Sequence, residues 1–408
     1  MHILLLNEYY PPDNSATAKM AAQVAERLAQ QHEVTALAGR PSYDPDEFYP
    51  YAPLHRTIRN HVAVESVGST AYSRHQMRGR VANYLSYLAL AVPRALALRP
   101  DVILAMTDPP VAGIAGAFIA RLAGRPLVYN IRDMYPDMAL GGNIVGQSEW
   151  IGRWEKMHRR ALKQAARVIV LGDDMCERIL AKGAAPENVV VIRDGATPPS
   201  EMPETEDPIV QEIRCGFQFV ALHAGNLGFY GAWETLLKAA EILNNESTGM
   251  VFVGDGANRD ALERSTAGMT NVRFLPFRPV EQIPHVMVAG DLQIITVKRG
   301  LEGVVVPSKL YSTLAAGRPV LAVAAPESDV ARIVVKSGCG VAVDPDDPIA
   351  IAVVLRELRN DPSRLSEMGR RARETAKSYA RVDELNRFVA TVEEAVATHG
   401  RVSRNLNS

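Results

Sequence analysis

Short continuous apolar runs alternate along this chain with stretches whose apolar residues recur at helical spacing, and the alternation breaks once. In the first half the runs are HILLLN, EVTALAG, VAVESV, DVILAM, PLVYNI, RVIVLG and VVVIRD. In the second they are FVALHAG, GMVFVGDG, NVRFLPF, DLQIITV, PVLAVAA and GVAVDPDD. A strand that is apolar on both faces must be covered on both faces. Strands of that kind separated by helices therefore predict an α/β fold with parallel, doubly wound sheets. The break is GATPPSEMPETEDP, residues 195–208, which holds four prolines among acidic and small residues. It suits neither a helix nor a central strand and reads as a linker. The expected organisation is a Rossmann-like domain over 1–196, a linker over 197–212, a second Rossmann-like domain over 213–380, and a C-terminal helix and tail over 381–408.

A length of 408 residues fits two cores better than one. With 47% hydrophobic and 22% charged residues the chain is globular, and a formal net charge of -1 gives no reason to expect nucleic acid as a partner. Cys176, Cys215 and Cys339 are far apart and make no metal-ligand spacing. The start MHILLLNEYYPP lacks the pattern of a leader. The longest candidate for a spanning helix, residues 81–98, is interrupted by Pro93 and Arg94, so contact with a membrane would be from the side. The expected location is the cytoplasm.

Two such domains enclose a cleft facing the carboxyl ends of their strands, where ligands of these sheets bind. Chemistry is therefore sought in the loops after strands. The richest is VKRGLEGVVVPSKLYSTLAAGRPVLA, residues 297–322. A strand runs into a glycine-containing basic loop, and a helix then opens. Free amides there, with Arg299 and Lys309, suit a diphosphate, whereas Glu302 suits sugar hydroxyls because a carboxylate accepts two hydrogen bonds. An ordinary βα turn with solvated charges is the competing reading. In HAGNLG, Gly225, Asn226 and Gly228 would let the backbone approach a phosphate, although the spacing is not that of a dinucleotide fingerprint. In the first half, Asn14, Ser15 and Thr17 of EYYPPDNSATAKM either cap the first helix or turn toward donor phosphates. Asp133 in NIRDMYP would orient an acceptor hydroxyl or steady a positive sugar carbon, with ion pairing to Arg132 as the alternative. Two tempting signals carry less. The run DPDD at 344–347 reads as a turn and a helix cap, and His158 sits on a charge-rich helix where a solvated position is expected. No set of residues has metal spacing, and neither metal nor cofactor is expected.

Taken in order, NEYYPPDNSATA, NIRDMYP, VIRDGA, HAGNLG, FVGDGANRDALE and EGVVVPSKLYSTLAAGRPVLA resemble the retaining glycosyltransferases of family 4. They look closest to the bacterial cell-surface polysaccharide branch that transfers sugars such as N-acetyl-fucosamine. The resemblance implies a GT-B fold, a metal-independent reaction and retained anomeric configuration. It gives the N-terminal domain to the acceptor and the C-terminal domain to a nucleotide-sugar donor, a UDP-sugar by expectation. It assigns Glu302, Gly303 and Val304 to the donor sugar and diphosphate, and puts Ser312 where a ribose-binding Glu is usual. Phe229 and Tyr230 stand where basic residues are common, which Lys298, Arg299 or Lys309 would replace; the base-binding loop falls near Phe277 and Arg278. The expected acceptor is a lipid-linked sugar or an oligosaccharide in surface polysaccharide synthesis. A sugar-nucleotide epimerase and a nucleotide-sugar-binding assembly subunit without turnover are the alternatives.

One stretch points to a surface. Residues 66–100 contain no acidic residue but do contain Arg74, Arg78, Arg80, Arg94 and Arg99, with Tyr84 and Tyr87 in VANYLSYLALAV. This pattern fits either a buried helix or a peripheral contact with the anionic inner face of the cell membrane.

Overall fold

The computed structural model describes residues 1–42, 49–73, 76–142, 146, 148–244 and 246–406, with side chains as far as Gly400. The first eight strands are β1 His2–Leu6, β2 Glu33–Ala38, β3 Leu54–Arg59, β4 Val62–Val67, β5 Val102–Ala105, β6 Leu127–Asn130, β7 Arg167–Val170 and β8 Val189–Val191. They form one sheet in the order β3-β4-β2-β1-β5-β6-β7-β8. All neighbours are parallel except β3 and β4, an antiparallel hairpin turned by Asn60 and His61, both at positive φ. The second sheet contains β9 Phe219–Ala224, β10 Thr248–Val253, β11 Val272–Leu275, β12 Leu292–Thr296, β13 Val320–Val323 and β14 Gly340–Val343, in the order β11-β10-β9-β12-β13-β14. β1, β5, β6, β9, β10 and β13 are apolar on both faces, and helices cover both sides, as the unbroken runs predicted.

The strand order decides where ligands can enter. In the first sheet the chain reverses direction across the sheet between β1 and β5, and in the second between β9 and β12. At such switch points the loops of neighbouring strands diverge and leave a crevice. The two switch points carry residues 7–15 and 106–111 on one side, and 225–231 and 297–308 on the other.

The halves are tied at the cleft edge. Met134 donates its amide to the Val304 carbonyl at 3.1 Å, and Asp133 forms an antiparallel bridge with Val305. Asp174 and Asp329 cap each other's helices: Asp174 accepts the Asp329 amide at 2.9 Å, and Asp329 accepts the Asp173 amide at 3.4 Å. Arg193 joins Asp329 and Asp173 at 2.9 and 3.0 Å. The chain crosses between halves a second time where Ala196 pairs with Ala380. The helix Arg381–Leu406 then returns to the first sheet, packing Phe388, Val389, Val392 and Ala395 against Ile3, Leu5 and Leu104.

Two expectations are corrected. His158 is not solvated: it is buried on the inner face of the helix Glu149–Gln164, edge-on to Tyr129, and burial holds its pKa down at about 4. The charges around it occupy the other faces of that helix. Pro93 does not interrupt the helix near residue 81, which runs unbroken over Met77–Leu98 and is long and apolar enough to cross a membrane. It lies instead as an outer layer of the first domain, with Tyr87, Ala91 and Ala95 in the core.

Candidate active site

The C-terminal wall of the cleft is built on the turn after β9. Gly225 has φ 132° and donates its amide to Val253. Gly254, φ 148°, presses so close that a Cβ there would lie 2.0 Å from the Gly225 carbonyl oxygen. Gly228 is buried, and its carbonyl accepts from Trp233 Nε1 at 2.6 Å and Asn258 Nδ2 at 3.0 Å. Asn226 is exposed at the rim.

Behind this turn stands Lys309, the first residue of the helix Lys309–Ala315. A Cβ on Gly225 would come within 3.2 Å of its Nζ. The His223 ring, buried on β9 itself, directs Nδ1 at the Ile294 carbonyl at 3.2 Å, which places the ring proton on Nδ1 and leaves Nε2 to accept from Lys309 Nζ at 2.9 Å. Burial, and then Lys309 itself, keeps His223 neutral, while burial lowers the Lys309 pKa to about 7. Among the described residues no carboxylate pairs with Lys309. An amine in that position gains from an arriving anion, which would restore its charge.

The other residues singled out in this half are spread around that centre. Glu302 is buried rather than open; its Oε1 accepts the Gly300 amide at 3.1 Å, and Arg178 of the first domain stands 3.9 Å away. Gly303, φ 67°, is pressed against the first domain, where a Cβ would lie 2.5 Å from the Asp174 carbonyl. The Val304 amide donates to Leu301. Arg299 is turned to Asp344 and Asp346, and Arg278 to Glu212 at 2.6 Å. Ser312 is exposed, with its hydroxyl donating to the Lys309 carbonyl at 2.9 Å. In the DPDD run, Asp344 accepts the Asp346 amide and Asp347 caps the helix Pro348–Arg359.

The N-terminal wall holds residues that the motifs did not single out. Glu8 follows β1 and Asp108 follows β5; the Glu8 amide donates to the Asp108 carbonyl at 2.7 Å. Glu8 is 2% exposed, its Oε2 has no hydrogen-bond partner among the described residues, and burial followed by Asp108 raises its pKa to about 9. Burial, then Asp133, raises Asp108 to about 7. Asp133 lies in the loop after β6 with its pKa raised by burial against the opposing pull of Arg132, which itself pairs with Asp194 at 2.8 Å. Tyr9, Tyr84, Tyr135 and Arg80 complete the wall, and Tyr230 faces Asp133 from the other domain. Asn14 is exposed beside Ser15, whose hydroxyl caps the first helix by accepting the Ala18 amide at 3.0 Å. The sequence signal that was available is position: Glu8 and Asp108 each fall just after an apolar run.

Each half of the chain matches a family of known proteins. Residues 15–195 match the glycosyl transferase 4-like domain, and residues 218–361 match the glycosyl transferases group 1 domain. The chain is built from glycosyltransferase domains. Among relatives of this glycosyltransferase, "Probable glycosyltransferase WbjE" of Pseudomonas aeruginosa is 25% identical over 77% of this chain and 80% of its own. "Putative colanic acid biosynthesis glycosyl transferase WcaI" of Escherichia coli K12 is 24% identical over 88% and 92%. Solved structures share the GT-B fold. Anabaena HepE in complex with UDP superposes with a TM-score of 0.69 at 18% identity, covering 97% of this chain and all of the other. WaaG, a glycosyltransferase involved in lipopolysaccharide biosynthesis, gives 0.66 at 17% identity, over 96% and 99%.

Proposed function

We propose that this glycosyltransferase moves a sugar from a UDP-sugar to a lipid-linked or oligosaccharide acceptor in surface polysaccharide synthesis, with retention and without a metal. The observation that carries the reading is Lys309, half-buried behind the Gly225 turn at a switch point, whose amine has no carboxylate partner among the described residues. The donor diphosphate pairs with it and with the exposed rim of that turn at Asn226, with the buried Gly228 holding the turn in shape. Glu302 holds donor-sugar hydroxyls from its loop, while Asp133 faces the sugar from the other wall and orients the acceptor. As bonding to the leaving diphosphate weakens, its growing charge is met by Lys309, a contact stronger in the transition state than before it. The names of WbjE and WcaI, and the UDP and UDP-glucose complexes of HepE, support the polysaccharide role and the uridine nucleotide.

The test is a thermal-shift panel of UDP-, GDP-, dTDP- and ADP-sugars on the wild type and on Lys309→Met. UDP-sugars should raise the wild-type melting temperature, since a ligand bound only by the native state stabilises it, and the variant should lose that shift. Equal shifts for both proteins would remove Lys309 from the donor site.

The reading includes peripheral placement at the cytoplasmic face of the membrane. The helix Met77–Leu98 exposes Met77, Val81, Leu85 and Leu90, and the neighbouring helix Ala112–Ala123 exposes Phe118 and Leu122. Not every basic residue of the stretch is free for that contact. Arg94 is paired with Glu65 at 2.6 Å, Tyr87 is in the core with its hydroxyl on the Leu37 carbonyl, and Arg80 bonds to Tyr84. Arg74 lies outside the described residues.

A further inference from the structure

The loop that carries Glu302 is gripped from the opposite domain. Within itself it closes short turns: Leu301 donates its amide to the Lys298 carbonyl at 3.1 Å, and Val304 donates to Leu301 at 3.1 Å. The first domain then meets it at successive residues. Arg178, on the helix Asp173–Ala181, donates Nη2 to the Gly300 carbonyl at 2.9 Å and Nε to the Glu302 carbonyl. Leu301 is buried and packs so closely on Gly141 that a Cβ there would lie 2.2 Å from its Cδ2. Gly303 lies on the Asp174 carbonyl, and the Val304 carbonyl takes the Met134 amide.

Asp174 and Arg178 are four residues apart and share one face of their helix. That face therefore meets the loop twice, with Asp174 against Gly303 and Arg178 against Gly300 and Glu302. The guanidinium is a rigid, planar fork, so it fixes the two carbonyls relative to one another as well as to the helix. Glu302 follows from that placement, with its Oε1 on the Gly300 amide at 3.1 Å. Its Oε2 stands 3.9 Å from the Arg178 Nη2, beyond hydrogen-bond reach. Arg178 thus holds the backbone that presents the carboxylate rather than the carboxylate itself.

We infer that Arg178 is a positioning residue for transfer: from the first domain it sets the backbone of residues 300–302 and so aims Glu302 at the donor sugar. This rests on the reading of Glu302 as the partner of donor-sugar hydroxyls and deepens it. The sugar is then read by both halves of the molecule, whereas the diphosphate contacts at Lys309 and Asn226 belong to the second half and do not pass through Arg178.

The probes are UDP and the UDP-sugar that most stabilises the wild type in the panel above. Arg178→Met should bind UDP within twofold of wild type and lose at least tenfold in kcat/KM for transfer. Arg178→Lys should fall between them, because an ammonium can serve one carbonyl but cannot fix two; it carries the same test if the Met variant does not fold. The deciding arm is a double-mutant cycle with Glu302→Gln. If Arg178 acts through Glu302, adding Arg178→Met to Glu302→Gln should change kcat/KM by less than threefold, whereas a residue that only braces the interface would multiply the two losses. With UDP bound, amides 300–304 should exchange hydrogen faster in Arg178→Met than in wild type. Near-normal transfer by Arg178→Met, losses that multiply in the double variant, or equal exchange overturns the positioning role and leaves the donor reading standing. Failure of the wild type to bind UDP or any UDP-sugar would overturn the transferase reading and this inference with it.

Discussion

Replacing Glu8 with Gln should make the protein less sensitive to alkaline pH. In the fold the Glu8 carboxyl titrates at about 9, against 4.5 in an open chain, with burial as the main cause. Between pH 6 and pH 8 the folded protein therefore holds a proton that the unfolded chain has released. Stability falls with rising pH wherever the folded state binds more protons, by about 1.4 kcal/mol per unit for one proton. Over two pH units Glu8 alone should cost roughly 2–3 kcal/mol. Gln has nearly the shape of the protonated acid and does not titrate, so the variant should escape this loss. Asp108, raised to about 7, contributes its own slope mainly below pH 7 and is present in both proteins, so it largely cancels in the comparison. The assay is urea unfolding at pH 6 and pH 8, with equal m-values as the check that the unfolded states match. The loss begins at the open-chain value of 4.5, so Glu8→Gln should already lead by about 2 kcal/mol at pH 6 and by roughly 2–3 kcal/mol more at pH 8. Parallel pH profiles would refute the burial argument, because they would mean that the carboxyl is already ionised in the fold.

Glu302→Gln should keep the fold, since an amide oxygen can still accept the Gly300 amide, while transfer falls by roughly 2–4 kcal/mol, or about 30- to 1000-fold in kcat/KM; near-normal turnover would end its assigned role. Asp133→Asn should leave UDP affinity within a few-fold and cut transfer steeply, whereas lost UDP binding at an unchanged rate would move Asp133 to the donor. EDTA should leave activity intact, because Lys309 is there to meet the diphosphate charge; loss of activity restored by Mg²⁺ or Mn²⁺ would contradict a metal-free mechanism. Anionic liposomes should bind the protein in a salt-sensitive way and neutral ones should not, with Arg78→Glu weakening the contact, and equal, negligible binding to both would leave the Met77–Leu98 helix as an ordinary outer layer.

Much of the architecture could be read from the chain because burial leaves a local trace. A strand covered on both faces has to be apolar at successive positions, so runs such as HILLL and DVILA report a parallel sheet without knowledge of their neighbours. The loop holding Glu302 and Lys309, and the Asp347 cap in the DPDD run, were legible for the same reason: they follow directly from where a strand ends and a helix begins. What the chain did not disclose depends on which distant pieces meet. Glu8 and Asp108 are a hundred residues apart, and only the adjacency of β1 and β5 brings them together, raises their pKa values and opens a crevice over them. The pairing of Arg299 with Asp344 and Asp346, away from Lys309, the burial of His158, and the return of the last helix to the first sheet were equally undetermined. Periodicity records that a residue has a covered face but not what covers it. Strand order, and with it the charge environment of every side chain in the cleft, is set by contacts between segments far apart in sequence, and these exist only once the chain has folded.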